Sequence, residues 1–350
     1  MNIQEARSLF PALANITYFN TATASLGCIP ARQAYEKSIT EWTDGTFDWK
    51  QAEEAGEECR HLFAAMINAR AEEIALVPAV SISAGVVAAQ LGPARPGENI
   101  LVADCEFSSN FFPWLSLRSL GYDVRIVQSI DGMVPSDVYA ALADGGTRII
   151  AVSAVQSSSG YRADLSALRE IADRSGAWLF VDACQAAGAV SIDVRRDGID
   201  FLATSSHKFL LGSRGMGYLF VRSGLVDECR SVLPGWKAAR RPMESFYGPA
   251  MDLSQTASKL DTSLMWFTAL AERESLRVFE RVGLTAILEY NKSLSERLHS
   301  QLTERISAFA PFQEDSRSTI LSVPVAHPDR TMTLLRESNI VASLRGGRVR

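Results

Sequence analysis

Cysteine is scarce in this sequence and shows no pairing pattern. Cys28, Cys59, Cys105, Cys184 and Cys229 are odd in number, scattered, and never in a CxxC spacing. That argues against a disulfide framework or a thiolate zinc site and favours a reducing cytoplasm. Histidine is scarcer still, and His61, His207, His299 and His327 show no metal-ligand spacing. There is no basic excess. A net charge of -5 with a pI near 5.6 lacks the electrostatic footprint of a general nucleic-acid binder. No run is long and apolar enough to span a bilayer. Met1–Ala14 lacks the basic start and apolar stretch of a signal peptide. Repeats and low-complexity tracts are also missing.

What the sequence does have is core material. Hydrophobic residues make up 47% of its 350 residues, enough for one large or two ordinary domains. From about residue 98 to 222, short β-rich runs alternate with helical patterns. The runs Asn99–Ala103, Asp123–Val127, Arg148–Ser153, Ala177–Asp182, Asp200–Thr204 and Met216–Val221 read as strands. Pro135–Ala143 and Asp164–Arg174 read as helices, the second with Leu165, Leu168, Ile171 and Ala172 on one face. Trp178–Val181 is apolar throughout, as in a strand covered on both faces. This is an α/β pattern, predicting a mostly parallel sheet with right-handed crossovers. Ligands of such sheets collect outside the carboxyl ends of the strands.

The rhythm breaks in the loop-rich stretch Leu225–Ser258. Beyond it, helices are expected over Thr268–Arg281, Thr285–Ile306 and Arg330–Ser338, with strands near Thr319–Val323 and Ile340–Leu344. The chain thus divides into an N-terminal segment over 1–15 that packs with a small domain, a large domain over 16–250, and a smaller α+β C-terminal domain over 251–350.

Four sites fall at element ends where chemistry could gather. Asp182 ends an apolar strand and Lys208 follows the next one. Val80-Ser81-Ile82-Ser83 opens a helical run, and Phe107 follows the strand ending at Ala103. Pyridoxal 5'-phosphate (PLP) needs four things. These are an amine for its aldehyde, a buried carboxylate to keep the ring nitrogen protonated, phosphate donors such as a helix N-terminus with hydroxyls, and a flat partner for the ring. Lys208, Asp182, Ser81 with its helix, and Phe107 meet these needs in turn. Taken singly, each has a plainer reading: a surface lysine, helix-capping Asp182 and Ser81, a core phenylalanine. Their common position at one edge of one sheet makes the joint reading the stronger one.

Val181-Asp182-Ala-Cys-Gln185-Ala-Ala-Gly188, followed by Ser205-Ser-His207-Lys208, resembles the class V aminotransferase superfamily, fold type I of the PLP enzymes. That group includes cysteine desulfurases and isopenicillin-N-epimerase-like and kynureninase-like proteins. The resemblance runs from about Tyr18 to the last residue. It implies that Lys208 carries PLP as a Schiff base, with Asp182 facing the pyridinium and Gln185 on the phenolic oxygen. Ser205 and His207, with Val80 and Ser81, would bind the phosphate. Phe107 stands where desulfurases carry a stacking histidine, so the aromatic face is kept and the proton chemistry is not. Lys259–Ser263 matches the segment that reaches a neighbouring subunit's phosphate, implying a homodimer and a role for Ser263. Arg350 matches the arginine that binds the substrate carboxylate; the plainer reading of Arg345, Arg348 and Arg350 is a solvated basic tail.

No cysteine follows Cys229, so the persulfide nucleophile of desulfurases is missing. Gly212-Ser-Arg-Gly215-Met-Gly217 is no dinucleotide fingerprint, because its glycines precede a strand instead of opening a helix. The expected activity is PLP chemistry at the α-carbon of an amino acid or amine, with aminotransferase as the first label. A carbon–sulfur lyase or epimerase-like enzyme without a catalytic cysteine is the alternative. A catalytically silent PLP-fold binding module is the third. Expected partners are the small-molecule substrate and a second copy of the chain, with no nucleic acid and no membrane.

Overall fold

The computed structural model describes residues 1–306 and 312–350. Its frame is a seven-stranded sheet built from β2 (Ile74–Val77), β3 (Asn99–Ala103), β4 (Asp123–Val127), β5 (Thr147–Ser153), β6 (Trp178–Asp182), β7 (Phe201–Ser205) and β8 (Gly217–Val221). The order across the sheet is β2-β8-β7-β6-β5-β3-β4. Pairings from β4 through β7 are parallel, whereas β8 runs antiparallel to both of its neighbours. β1 (Thr17–Tyr18) lies outside this sheet and pairs in parallel with β10 (Ile340–Val341).

Continuous apolar runs form these strands because both faces are covered. In β6, Leu179 and Val181 enter one core cluster and Phe180 enters the other. The first cluster takes Phe63 from α3 (Trp49–Met66) and Leu168 and Ile171 from α7 (Leu165–Ser175). The second takes Val80, Ala84 and Val87 from α4 (Val80–Ala88) and Trp114 from α5 (Ser108–Leu115). Trp114 meets Phe180 edge-on at 4.9 Å between ring centroids. Such pairs contribute about 0.5–1.5 kcal/mol beyond their buried area.

The six expected strands all form, each shifted by at most one residue. Two features differ from expectation. β2 was not anticipated: its four residues, bounded by Glu73 and Pro78, are too short to show a period. Its pairing partner β8 runs against both neighbours, so this edge of the sheet is antiparallel and no helical crossover precedes β8.

Around the sheet, α2 (Ile29–Thr43) and α3 pack against α9 (Trp266–Val282). α1 (Ile3–Ser8) adds Ala6 to a small cluster with Cys28, Ala31, Ala271 and Val278. α6 (Ser136–Leu142) and α8 (Ser223–Val226) complete the large-sheet layers. Downstream come α10 (Leu284–Arg305), β9 (Val323–Pro324), α11 (Pro328–Glu337), then β10, β11 (Leu344–Arg345) and β12 (Arg348–Val349). The strand expected at Thr319–Val323 is confined to β9. The one expected at Ile340–Leu344 is split, because Ala342–Ser343 carries the chain from its pairing with β1 to a hairpin with β12.

A buried ion cluster locks the segment before α9. Arg60 Nη2 lies 2.6 Å from Asp261 Oδ2, with side-chain exposures of only 6% and 1%. Asp261 also accepts the Leu76 N–H at 2.8 Å, and Arg60 donates to the Ile74 carbonyl. Lys237 lies 2.6 Å from Glu53 and 2.8 Å from Glu57. Removing one member of a buried pair strands the other charge. Arg60→Ala should therefore lower unfolding free energy by about 3–5 kcal/mol, read by chemical denaturation. A loss under about 1 kcal/mol would mean that water reaches Asp261.

Candidate active site

The parallel strands β3, β5, β6 and β7 end at one edge, and the candidate residues gather there. Asp182 is the last residue of β6 and pairs with Ala203 in β7. It caps a turn, accepting the Cys184 N–H at 2.8 Å, and no helix begins at residues 183–190. Burial raises the Asp182 carboxyl, while the Lys208 charge and the Cys184 N–H pull it down. Lys208 follows β7 and is half-buried. Its Nζ stands over the Phe107 ring, 5.5 Å from the centroid. Phe107 is the residue before α5 and is more than half exposed, so one ring face is open.

The remaining candidates spread around this pair. Gln185 is buried, and its Nε2 donates to the Ala22 carbonyl at 3.0 Å. Its Oε1 has no hydrogen-bond partner. Ser205 ends β7, and its N–H donates to Cys184 Sγ at 3.2 Å. His207 is half-buried, and burial, then Lys208 and Arg214, lower its imidazole to about 4. It is therefore neutral at pH 7. Val80 and Ser81 are the first two residues of α4, whose cap residue Ala79 supplies no side-chain acceptor. Ser263 is exposed, and among the described residues no hydrogen bond joins it to the others. Arg350 is buried at 8% exposure, unlike a solvated tail. It donates to Ser343 Oγ at 3.2 Å, Thr23 Oγ1 at 2.7 Å and the Ser157 carbonyl.

Two buried acids escaped the sequence reading. Glu106 precedes Phe107 and is fully enclosed. It accepts from the Ser153 N–H at 2.8 Å, the Ser153 hydroxyl, Gln156 Nε2 at 2.6 Å and Asn110 Nδ2 at 2.8 Å. Ser153 is the register partner of Asp182, so Glu106 fastens the Phe107 loop to the strand beside the Asp182 strand. Burial pushes its carboxyl up to about 7, against the Ser153 and Asn110 donors and with the Asp182 charge adding to the rise. The signal was present: a carboxylate three residues past an apolar strand, with an amide four residues on.

Glu272 lies on α9 behind the Lys208 loop. Its Oε1 accepts from the Tyr218 hydroxyl at 3.1 Å. Its Oε2 lies 1.7 Å and the Ser206 Cβ 2.9 Å from where a Cβ on Gly212 would stand, so any larger residue there must displace Glu272. The loop is held from the same side, with Ser275 Oγ donating to the Leu211 carbonyl at 2.9 Å. Among the described residues no cation faces Glu272, and burial pushes its carboxyl up to about 8 while the Tyr218 and Ser206 hydroxyls pull it down. Its signal in sequence was an acid on the Thr268-Ala269-Glu272-Ser275-Leu276-Phe279 stripe of a core-facing helix.

Residues 28–349 match the family described as Aminotransferase class-V, and the chain belongs to that family. It is 27% identical over 347 residues to a Bacillus subtilis protein named as the uncharacterized aminotransferase YcbU, covering 99% of this chain and 92% of that one. It is 28% identical over 318 residues to a probable cysteine desulfurase of Methanothermobacter thermautotrophicus, covering 87% and 76%. A cysteine desulfurase from Thermococcus onnurineus superposes with a TM-score of 0.82 at 25% identity, over 98% of this chain and 88% of that one. The cystine C–S lyase C-DES superposes with a TM-score of 0.85 over 97% and 93%; at 19% identity it speaks for the fold alone.

Glu272 gives the protein a pH signature. Its carboxyl is raised from 4.5 to about 8 in the fold, so the native state holds a proton that the unfolded chain releases. Stability therefore falls as pH rises from 4.5 through about 8. Glu272→Gln carries no proton to lose. Relative to wild type it should gain melting temperature steadily across that window and level off above it. Parallel profiles of melting temperature against pH for the two proteins would show that Glu272 titrates normally.

Proposed function

We propose, from the chain's membership of the class-V aminotransferase family, that it is a PLP enzyme acting at the α-carbon of an amino acid or amine, with aminotransferase the first label. The observation that carries this reading is the convergence of Lys208, Asp182 and Phe107 beyond the ends of β7, β6 and β3 at one edge of the sheet. The residues fit the cofactor. Asp182 is a buried carboxyl that a cationic ring nitrogen would keep ionised. The Gln185 amide has two N–H donors and spends one on Ala22, leaving one for a phenolic oxygen. The first turn of α4 offers the Val80 and Ser81 N–H groups to a phosphate. Ser205 and neutral His207 can donate to it as well.

When bound, PLP supplies a ring that accepts the electron pair left as a proton leaves the substrate α-carbon. Lys208 Nζ is the attachment point and, once released, the base that takes that proton. Asp182 holds the proton on the ring nitrogen. Phe107 packs on the ring and cannot transfer protons, which leaves Lys208 as the mobile base. Arg350 receives the substrate carboxylate.

A second reading within the same chemistry, carbon–sulfur cleavage without a protein nucleophile, is favoured by the relatives named as cysteine desulfurases. Persulfide chemistry is disfavoured by the thiols themselves. Burial raises all five, Cys105 and Cys184 to about 12, so thiolate is scarce at neutral pH. The five free cysteines also support a cytoplasmic setting. Among the described residues no helix is long and apolar enough to cross a membrane. A homodimer is supported by an aromatic surface in which Trp42, Phe267, Phe47, Trp266 and Trp49 follow one another at 5.0–6.2 Å, next to exposed Tyr247 and Met265. Exposed Ser263 would reach the neighbouring subunit's phosphate.

Borohydride reduction followed by peptide mapping should place PLP on Lys208, and Lys208→Ala should abolish that link. Lys237, already held by Glu53 and Glu57, is not an alternative; label there would sink the assignment. Asp182→Ala should still bind PLP but lose orders of magnitude in α-proton exchange, measured by deuterium uptake into substrate. Near-normal exchange would reduce Asp182 to a turn cap. Replacing all five cysteines by serine or alanine should leave turnover largely intact in a variant whose melting is unchanged. A persulfide required for turnover would contradict this.

A further inference from the structure

β11 and β12 form a hairpin turned by Gly346 and Gly347, both with positive φ (54° and 74°). Arg345 stands opposite Arg348, and Ser343 exchanges two backbone hydrogen bonds with Arg350 at 3.0 and 2.8 Å. Strand alternation then puts Arg345, Arg348 and Arg350 on one face of the hairpin. Like charges placed opposite each other across strands repel. Arg348 turns away to Ser322, with Nε 3.1 Å from Oγ and Nη2 2.9 Å from the carbonyl. Arg345 and Arg350 turn together, donating to the same Thr23 hydroxyl at 3.5 and 2.7 Å.

Every hydrogen bond of these two guanidiniums goes to a neutral oxygen. Among the described residues neither has a carboxylate partner. Arg345 is exposed and Arg350 buried; the other buried cations among the described residues are neutralised, Arg60 by Asp261 and Lys237 by Glu53 and Glu57. Burial and then the Arg345 charge pull the Arg350 guanidinium down to about 10. A buried guanidinium with an exposed one beside it, neither with a counter-charge among the described residues, is a site that an anion stabilises. The site faces the Lys208 edge. Thr23 adjoins Ala22, the acceptor of Gln185, and Arg350 touches the Ser157 carbonyl, one residue from the Gln156 that holds Glu106.

We propose that Arg345 binds the side-chain carboxylate of an acidic amino acid whose α-carboxylate sits on Arg350. The substrate class is then a dicarboxylic amino acid of aspartate or glutamate length, and Arg345 sets that preference. This rests on the reading of the site as one for amino acids. Its test does not require the chemistry to run. Calorimetry on the PLP-loaded protein compares succinate with butyrate, which share a chain length and lack an amine. Succinate should bind roughly ten- to a hundredfold more tightly, the range expected of one charge-assisted contact. Arg345→Gln should collapse the ratio towards one, and Arg350→Gln should weaken both ligands. Arg345→Met, which keeps the apolar stem, serves if the glutamine variant melts early. Equal affinities in the wild type, or a ratio untouched by both Arg345 variants, overturn the proposal. Failure to find PLP on Lys208 would instead overturn the cofactor reading, and the succinate result would still judge Arg345.

Discussion

A carboxyl group at the end of an apolar strand carries a desolvation cost that only a nearby cation or a proton relieves. Asp182 is in that position. Its strand is buried on both faces, its one backbone donor is the Cys184 N–H, and the Lys208 ammonium is the charge that offsets its burial. The surrounding architecture follows from keeping this carboxyl unsolvated without pairing it permanently. β6 and β7 run in parallel so that both groups emerge at the same edge, and Glu106 closes the neighbouring loop over them.

Three buried acids in this chain show three solutions to the same cost. Asp261 is fully paired with Arg60 and fixes a loop. Asp182 is partly offset by the Lys208 charge and the Cys184 N–H, and among the described residues no salt bridge joins it to Lys208. Glu272 has no cation among the described residues and meets the cost by holding a proton. Of the three, only the second sits at the sheet edge beside the Lys208–Phe107 contact.

The strands from residue 99 onward were legible because a doubly covered strand writes itself as an unbroken apolar run, as Trp178–Val181 does. β2 was not, since four apolar residues carry no periodicity and its partner β8 lies far along the chain. Neither was the reversal of β8, because strand direction is set by the loop before it and not by composition. The site was legible as a set of positions after strands, with Lys208, Asp182 and Phe107 brought together at one edge. Glu106 and Glu272 were not, because a buried acid looks in sequence like any solvated one until the groups packed around it are known. Arg350 was expected as a carboxylate ligand from the family resemblance, whereas Arg345 had no reading beyond a basic tail, since its place beside Arg350 on Thr23 shows only in the fold.

The position of β2 also shapes how the molecule can be assembled. Val77 pairs with Gly217, and α2 and α3 pack against α9, which begins only at Trp266. β2, α2 and α3 therefore meet these partners only after most of the chain has left the ribosome. Contacts so distant in sequence are slow to close, and the wait exposes Phe63, Ile74 and Leu76 to solvent. Fragments ending before α9 leave those side chains without their partners and should be prone to aggregate.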